Sequence, residues 1–243
     1  MTFKIDNNFF GGFSPTDSTI DFYNRINSVL NSKMTVLNLG AGRGAWYFDE
    51  KCKYRRELRN IKGKVKKVIN ADIDKNVIKN RSGHMCLLID KNNYKIKLKN
   101  NSVDLIIADY VLEHVSNPNI FADEVNRLLK KNGFFCARTP HKFNYVSLFS
   151  KLIPSFIKKN LLKKIQPDRK KDDIFFTFYK MNTIFQVKKF FPDYKNYSFI
   201  KECDFAYFFG NYFIFKIINF SFKFLPKIFT GNIFFFLKKL NKS

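Results

Sequence analysis

Short apolar runs alternate with amphipathic segments through the first half of the chain. Five apolar runs are bounded by turn residues and predict strands: Thr35–Leu39, Val65–Ala71, Met85–Ile89, Val103–Ala108 and Gly133–Arg138. Apolar residues at helical spacing predict a helix capped by Thr16 or Asp17, and another over Phe121–Lys131 that ends at Asn132–Gly133. Residues 46–60 also have a helical composition. Strands alternating with helices in this way predict an α/β fold with a doubly wound, mostly parallel sheet.

The same pattern divides the chain into three parts. Residues 1–33 form an N-terminal helical cap, residues 34–145 form the α/β core, and residues 146–243 form a C-terminal elaboration. The elaboration is rich in Phe and basic, since residues 151–243 contain 19 Lys/Arg against 6 Asp/Glu. We expect it to be an extension of the core rather than a separate domain.

Charge and cysteine content narrow the function classes. The net charge of +24 invites a nucleic-acid partner, but the charge is spread along the chain and is carried mainly by Lys. We therefore expect nucleic acid not to be the partner. Four isolated cysteines predict free thiols without disulfides or a metal site. The N-terminus has no charged start followed by an apolar stretch, which predicts no signal peptide and a cytoplasmic protein.

A glycine-rich turn directly follows the first predicted strand. The turn is Gly40-Ala41-Gly42-Arg43-Gly44, and glycines there let backbone amides approach a ligand closely. The spacing is G-x-G-x-G rather than the G-x-G-x-x-G of a dinucleotide site, which argues against NAD-dependent oxidoreduction. Asp72 closes the second predicted strand, where a carboxylate can accept hydrogen bonds from two ribose hydroxyls.

Four segments in order resemble the motifs of class I S-adenosylmethionine (SAM)-dependent methyltransferases. They are VLNLGAGRG, INADID, VDLIIADYVLEHV and RLLKKNGFFCARTP, over roughly residues 34–140. The flanking segments GFSPTDSTIDFY and QPDRKKDDIFFTFYKMNT resemble those of a bacterial subgroup, similar to the type 11 methyltransferase domains, of uncharacterised or cell-surface-linked enzymes. The resemblance implies a seven-stranded sheet whose last strand is antiparallel, and Gly231–Leu237 is the candidate for that strand.

The resemblance also implies how SAM binds. The glycine turn would hold the methionine part, Asp72 the ribose, and Asp90, after the third strand, the adenine side; the residues predicted to bind the cofactor are Asn38, Gly40, Ala41, Gly42, Gly44, Asp72, Ile73, Asp90 and Asp109. One position departs from the family, because Asn38 stands where an acid is usual. Its amide oxygen can still accept from the SAM ammonium group, but without charge attraction we expect weaker affinity.

On the acceptor side, the candidates follow the fourth strand and continue into the C-terminal part. A hydroxyl acceptor needs a general base, for which His114 is the first candidate, Asp109 the second and His141 a further one. A purely structural role for His114 is an open alternative. Residues predicted to contact the acceptor are Tyr110, His141, Asp173 and Tyr179.

The predicted function is SAM-dependent O-methylation of a small molecule, a sugar or a lipid-linked saccharide. A nucleic-acid methyltransferase is the first alternative, although Ala108-Asp109-Tyr110-Val111 lacks the Asn/Asp-Pro-Pro-aromatic motif of enzymes that methylate amino groups of bases. A non-catalytic protein that keeps the SAM fold is the second, and Asn38 favours it.

Two C-terminal segments are candidates for contact with a membrane. Phe205–Leu225 is long and apolar, but Lys216 at its centre makes a membrane span costly. On a helix, Lys216, Asn219, Lys223 and Lys227 form a polar stripe opposite a Phe/Ile face. Leu152–Ile165 combines an apolar side with flanking lysines. We expect either peripheral binding to an anionic membrane or packing against the sheet or a second subunit.

Overall fold

The computed structural model describes residues 5–145, 147–148, 176–205 and 211–241. Its strands, in chain order, are β1 (Thr35–Leu39), β2 (Lys67–Asp72), β3 (Met85–Leu88), β4 (Val103–Asp109), β5 (Leu129–Pro140), β6 (Tyr194–Asn196), β7 (Phe199–Glu202) and β8 (Gly231–Lys239). Its α-helices are α1 (Ser18–Asn27), α2 (Ala45–Asp49), α3 (Lys53–Arg59), α4 (Pro118–Leu128), α5 (Ile184–Phe190), α6 (Tyr212–Phe222) and α7 (Lys227–Thr230). Short 3₁₀ turns include Lys75–Lys79 and Leu112–His114.

All eight strands belong to one mixed sheet, in the order β3-β2-β1-β4-β5-β8-β6, with β7 also paired to β8. The first five strands are parallel, and β8 runs antiparallel to β5. The short strands β6 and β7 pair with opposite ends of β8, so together they fill a single position at the edge. The sheet therefore has seven positions, and the predicted mostly parallel fold with a final antiparallel strand is confirmed.

Helices cover both faces of the sheet because neighbouring residues of each buried strand point to opposite sides. In β1, Val36 packs with α1 and α3, whereas Leu37 packs with α4 and α5. Phe234 and Phe235 of β8 continue the two clusters in the same way. The C-terminal part thus completes the core and the sheet; the predicted domain boundaries themselves stay a prediction.

Helix α1 begins where the sequence predicts it. The Asp17 carboxylate accepts hydrogen bonds from the backbone N–H groups of Thr19 and Ile20, as expected of an N-cap. Ile20, Phe22, Tyr23 and Ile26 are buried along one side of the helix. Because these residues pack on the α1/α3 face of the sheet, the N-terminal segment is part of the fold.

The end of α4 was predicted wrongly. The helix stops at Leu128, and Leu129 already pairs with Val103 of β4. The pairing then shifts before Leu105 meets Phe134, which leaves a bulge in β5. Asn132, with φ of 61°, and Gly133, where a Cβ would meet the Asp104 carbonyl oxygen at 2.9 Å, belong to this bulge and not to a helix cap.

The long C-terminal helix is also shorter than predicted. Residues 211–230 form α6 and α7, and Lys227 belongs to the second of them. The side of α6 that packs on the protein carries Phe215 and Phe222, and Lys216 and Lys223 are exposed beside it. Leu152–Ile165 lies outside the described residues. Among the helices that the structure describes, none has the length and hydrophobicity needed to cross a bilayer.

Candidate active site

The glycine turn after β1 has a backbone that only glycine tolerates easily. Gly40, Gly42 and Gly44 all have positive φ, at 68°, 50° and 71°. A Cβ on Gly40 would collide with the side chain of Val111, and one on Gly44 would collide with Asn80. The Gly40 N–H donates to the Ala71 carbonyl oxygen at 2.8 Å, which fixes the turn against the end of β2.

The Asp72 carboxylate lies next to this turn. It is 8% exposed and accepts hydrogen bonds from the N–H groups of Gly42 (2.7 Å) and Asp74 (2.8 Å). Burial raises the pKa of Asp72, and these two hydrogen bonds act in the opposite direction. Ile73 follows with its side chain exposed, and Asp90 is exposed just beyond β3, the neighbour of β2. The sheet thus brings these predicted cofactor residues to one edge.

Asn80 holds the glycine turn from the side opposite the strands. Its Nδ2 donates to the carbonyl oxygens of Ala41 and Gly42, at 3.0 and 3.1 Å. Its Oδ1 accepts from the N–H and the hydroxyl of Ser82. The residue is buried, and the sequence analysis missed it because Asn in a polar loop carries no distinguishing signal.

Asn38 takes part in a buried polar chain below the turn. Its Nδ2 donates to Oδ1 of Asn70 at 3.3 Å, and Asn70 donates to the Ser82 hydroxyl at 3.2 Å. Asn38 also lines a small cavity together with Trp46 and Arg59. The Asn38 side chain is therefore the donor in its hydrogen bond to Asn70. An aspartate at position 38 would have no N–H group to make this hydrogen bond.

Asp109 and Arg138 form a buried ion pair at the carboxyl ends of β4 and β5. Arg138 donates from Nε and Nη2 to the two carboxylate oxygens, at 2.8 and 2.9 Å. Its Nη1 donates to the hydroxyls of Ser18 and Thr19, so the pair also fixes the start of α1. Burial by itself raises the pKa of Asp109, but the guanidinium groups of Arg138 and Arg59 outweigh it and hold that pKa below its usual range. This pairing weighs against Asp109 as a general base.

Tyr110 and His114 follow β4 in a tight segment. Tyr110 has a φ of 58°, its ring is 40% exposed, and its hydroxyl accepts from Asn232 Nδ2 at 2.7 Å. His114 closes the 3₁₀ turn Leu112–His114, and its Nδ1 lies 2.6 Å from the Phe176 carbonyl oxygen. A carbonyl oxygen can only accept, so Nδ1 is the donor of this hydrogen bond, and in the neutral form of the ring the lone pair lies on Nε2.

Glu113 points to the interior beside His114. The Thr139 hydroxyl donates to its Oε2 at 2.7 Å, and Asn182 donates to the same hydroxyl oxygen at 2.7 Å. Burial raises the pKa of Glu113 to about 7. This role could not be predicted from the sequence, because a glutamate beside a histidine in a polar segment gives no sign of which one is buried.

Residues 37–137 match a family model described as a methyltransferase domain. That range contains the glycine turn, Asp72, Asn80, the Asp109 segment and most of β5. This segment of the chain is a methyltransferase domain of the class I, SAM-dependent type.

Solved structures share the fold of this methyltransferase. They include YcgJ from Bacillus subtilis, with a TM-score of 0.55, 12% identity, and coverage of 92% of this chain and 99% of that chain. For a SAM-dependent methyltransferase from Archaeoglobus fulgidus the TM-score is 0.53 and the identity 18%, with 90% of this chain and 92% of that chain covered. For one from Methanosarcina mazei the TM-score is 0.56 and the identity 16%, with 90% of this chain and 98% of that chain covered. At such identities the likeness shows the fold alone. No protein of curated function matches the sequence significantly.

The residues present fit SAM, the cofactor expected of such a methyltransferase domain. A Cβ added at Gly42 would meet only the Asp72 carboxylate, at 4.0 Å, so the turn leaves open space beside a hydrogen-bond acceptor. The glycine backbone suits the methionine part, Asp72 suits the ribose hydroxyls, and exposed Ile73 offers an apolar surface to the adenine. The assignments of individual residues stay predictions.

The predicted acceptor residues of the methyltransferase have different surroundings. Tyr179 is buried, and its N–H donates to the Glu113 carbonyl oxygen at 3.2 Å. His141 is buried too; burial lowers its pKa, and its Nδ1 accepts from the Phe143 N–H at 3.2 Å. Both residues are largely buried, and their predicted contact with the acceptor stays a prediction. Asp173 lies outside the described residues.

Proposed function

We propose that the chain methylates a hydroxyl oxygen of a small molecule, a sugar or a lipid-linked saccharide. The observation that carries this proposal is the position of His114. Its Nδ1 is held by the Phe176 carbonyl oxygen at 2.6 Å, which leaves Nε2 in the form that accepts a proton. A hydroxyl acceptor needs such a general base. The Asn/Asp-Pro-Pro-aromatic motif of enzymes that methylate amino groups of nucleobases is missing after β4.

The mechanism asks little of the side chains apart from positioning and one proton transfer. When bound, SAM would supply an activated methyl group on its sulfonium sulfur; in-line attack of the acceptor oxygen on the methyl carbon would break the carbon–sulfur bond and release the sulfur as a neutral thioether. The glycine turn and Asp72 hold the cofactor, and Asn80 keeps the turn rigid. The Asp109–Arg138 pair fixes α1 beside Tyr110. His114 Nε2 takes the proton of the acceptor hydroxyl as the oxygen attacks.

His114→Asn tests this proposal, since the Asn amide can still donate to the Phe176 carbonyl oxygen. With radiolabelled SAM and a panel of sugars, sugar nucleotides and lipid-linked saccharides, we expect kcat to fall by roughly 10²–10⁴. The SAM Kd by calorimetry should stay within about threefold of the wild-type value, because the substitution leaves the glycine turn untouched.

His84→Asn is the matched control. His84 is exposed, and its Nδ1 accepts from the Val68 N–H, so this variant should keep wild-type turnover. Equal kcat for His114→Asn and the wild type would remove His114 from the mechanism. Methyl incorporation into RNA or DNA but not into any saccharide would favour the nucleic-acid alternative, and no heat on SAM titration would favour the non-catalytic one.

A further inference from the structure

Helix α6 exposes a continuous stripe of large apolar side chains. Phe213, Ile217, Phe220 and Phe224 are separated by four, three and four residues, which places them on one side of the helix and its C-terminal extension. They are 71%, 50%, 62% and 73% exposed. Leu225 and Phe229 add exposed apolar surface around Pro226, at the junction with α7. We call these six residues the α6 stripe.

The α6 stripe faces away from the protein because the other side of the helix is anchored. Phe215 and Phe222 are buried, and two residues advance an α-helix by about 200°, so they lie opposite Phe213 and Phe220. The Phe222 ring packs against Tyr145 and Phe205, with ring centroids 5.3 and 5.1 Å apart. Exposure of the stripe is therefore a consequence of how α6 docks.

The charged residues of α6 and α7 are all lysines. Lys216 and Lys223 are exposed along one flank of the stripe, and Lys227 is exposed on α7. Residues 205–243 contain six lysines and no Asp or Glu. Exposed aromatic side chains beside lysines favour binding to an anionic bilayer surface. The rings insert at the boundary between headgroups and acyl chains, and the ammonium groups pair with the anionic headgroups.

The α6 stripe lies at the same end of the sheet as the active site. Because β8 is antiparallel to β5, its first residues meet the carboxyl end of β5, where Asn232 pairs with Pro140. Helix α7 runs directly into β8 at Gly231, and the Asn232 side chain donates to the Tyr110 hydroxyl. A surface bound by α6 and α7 would therefore adjoin the acceptor side of the site.

We propose that α6 and α7 dock the enzyme on an anionic membrane surface, and that its acceptor is anchored in that membrane by a lipid. The second part rests on the proposed function, and the first part does not. The helices lie in the interface, since no described helix is suited to crossing a bilayer. A second copy of the chain is disfavoured as the occupant, because pairing two stripes would also bring their lysines together.

Flotation of the full chain with lipid vesicles tests the docking surface. We expect the protein to float with vesicles of phosphatidylglycerol and phosphatidylcholine at low salt, and to stay at the bottom with phosphatidylcholine alone. Phe220→Ser/Phe224→Ser should weaken binding by roughly tenfold or more, because two partly inserted rings are lost. Lys216→Glu/Lys223→Glu should weaken it by roughly the same factor.

Matched variants distinguish the stripe from general hydrophobicity and charge. Phe10→Ser/Phe185→Ser removes two other highly exposed rings, and Lys188→Glu/Lys189→Glu makes the same change in net charge on α5. Both should bind anionic vesicles like the wild type. Loss of binding in these controls equal to that in the stripe variants, or wild-type protein that does not float at low salt, would overturn the proposal. A dimer that the stripe variants dissociate, without vesicle binding, would assign the stripe to a second copy instead.

A paired activity assay tests the lipid-anchored acceptor. Once an accepted headgroup is found, the wild type should methylate its lipid-linked form in vesicles faster than its soluble form. Phe220→Ser/Phe224→Ser should lose that preference while keeping turnover of the soluble form. An unchanged preference would overturn the acceptor class. Vesicle binding without any methyl transfer would instead count against the proposed function and leave the docking surface standing.

Discussion

Two adjacent residues after β4 show how strongly the surroundings decide the chemistry of a side chain. His114 lies at the edge of the fold with Nδ1 held by a backbone carbonyl, whereas Glu113 is turned inward against Thr139. Inside the protein the charged form of Glu113 loses hydration that one hydroxyl donor does not replace, so its pKa rises to about 7. Its protonated form is therefore compatible with the fold at mildly acidic pH, and its ionised form is costly.

This pKa predicts how stability depends on pH. The folded value of about 7 lies above the ordinary value of 4.5, so folding favours protonated Glu113. The resulting stabilisation is complete below pH 4.5 and is lost as the pH rises towards 7. The shift corresponds to roughly 3 kcal/mol. In urea denaturation, we expect the free energy of unfolding of the wild type to fall by up to this amount between pH 5 and 8, relative to that of Glu113→Gln.

Glu57→Gln, on the exposed side of α3, serves as the control and should follow the wild type. Parallel pH profiles of the wild type and Glu113→Gln would show that Glu113 does not ionise in this range.

At the scale of elements, the site depends on connections between turns rather than on regular structure. The glycine turn is bound on one side by the end of β2 and on the other by Asn80, from the loop that joins β2 to β3. Val111, from the segment after β4, fills the space where a Gly40 side chain would lie. The end of one strand and two loops thus define the shape of the SAM-binding turn.

Gly40→Ala tests this arrangement. A side chain at φ of 68° costs about 1–2 kcal/mol, and its contact with Val111 forces the turn to move. We expect the SAM Kd, measured by calorimetry, to rise by roughly tenfold or more. Gly63→Ala is the matched control, because Gly63 has a φ of 90° but open space around its Cβ position. That variant should lose stability while keeping SAM affinity, and equal affinities in the two variants would refute the steric argument.

At the scale of the whole molecule, the net charge of +24 opposes compaction. In the part of the chain that the structure describes, buried pairs such as Asp109–Arg138 neutralise few of the cations, and most lysines are exposed. Like charges spread over a compact surface repel one another, and salt screens that repulsion. The charge that suits an anionic partner is therefore also a cost to the free protein.

Thermal unfolding at increasing sodium chloride concentration measures this cost. We expect Tm to rise from low to physiological ionic strength by a few degrees, since about 1 kcal/mol shifts Tm by about 2–4 °C at this chain length. Lys66→Gln/Lys67→Gln removes two exposed charges at the start of β2 and should reduce the increase of Tm with salt concentration. A Tm that stays flat or falls with salt would mean that the charges are already compensated locally.

The regular elements were predicted well where local patterns decide them. The buried strands β1 and β4 and the Asp17 cap follow directly from apolar runs and a capping side chain. The end of α4 was missed because pairing of Leu129 with β4 overrides the helical preference of Lys130 and Lys131. The end of helix α6 at Phe222, before Leu225, could not be predicted, because uniformly apolar composition does not show where a helix stops; Pro226, which cannot continue a helix, separates it from α7.

The sequence by itself determined the fold class, the glycine turn, Asp72 and the likeness to SAM-dependent methyltransferases, because each depends on residues close together in the chain. Only the tertiary structure decided the roles that depend on partners far along it. It paired Asp109 with Arg138, buried Glu113 against Thr139, placed Asn80 on the glycine turn and turned the α6 stripe outward. Burial and long-range hydrogen bonds set these roles, and neither can be inferred from the spacing of residues within a single segment.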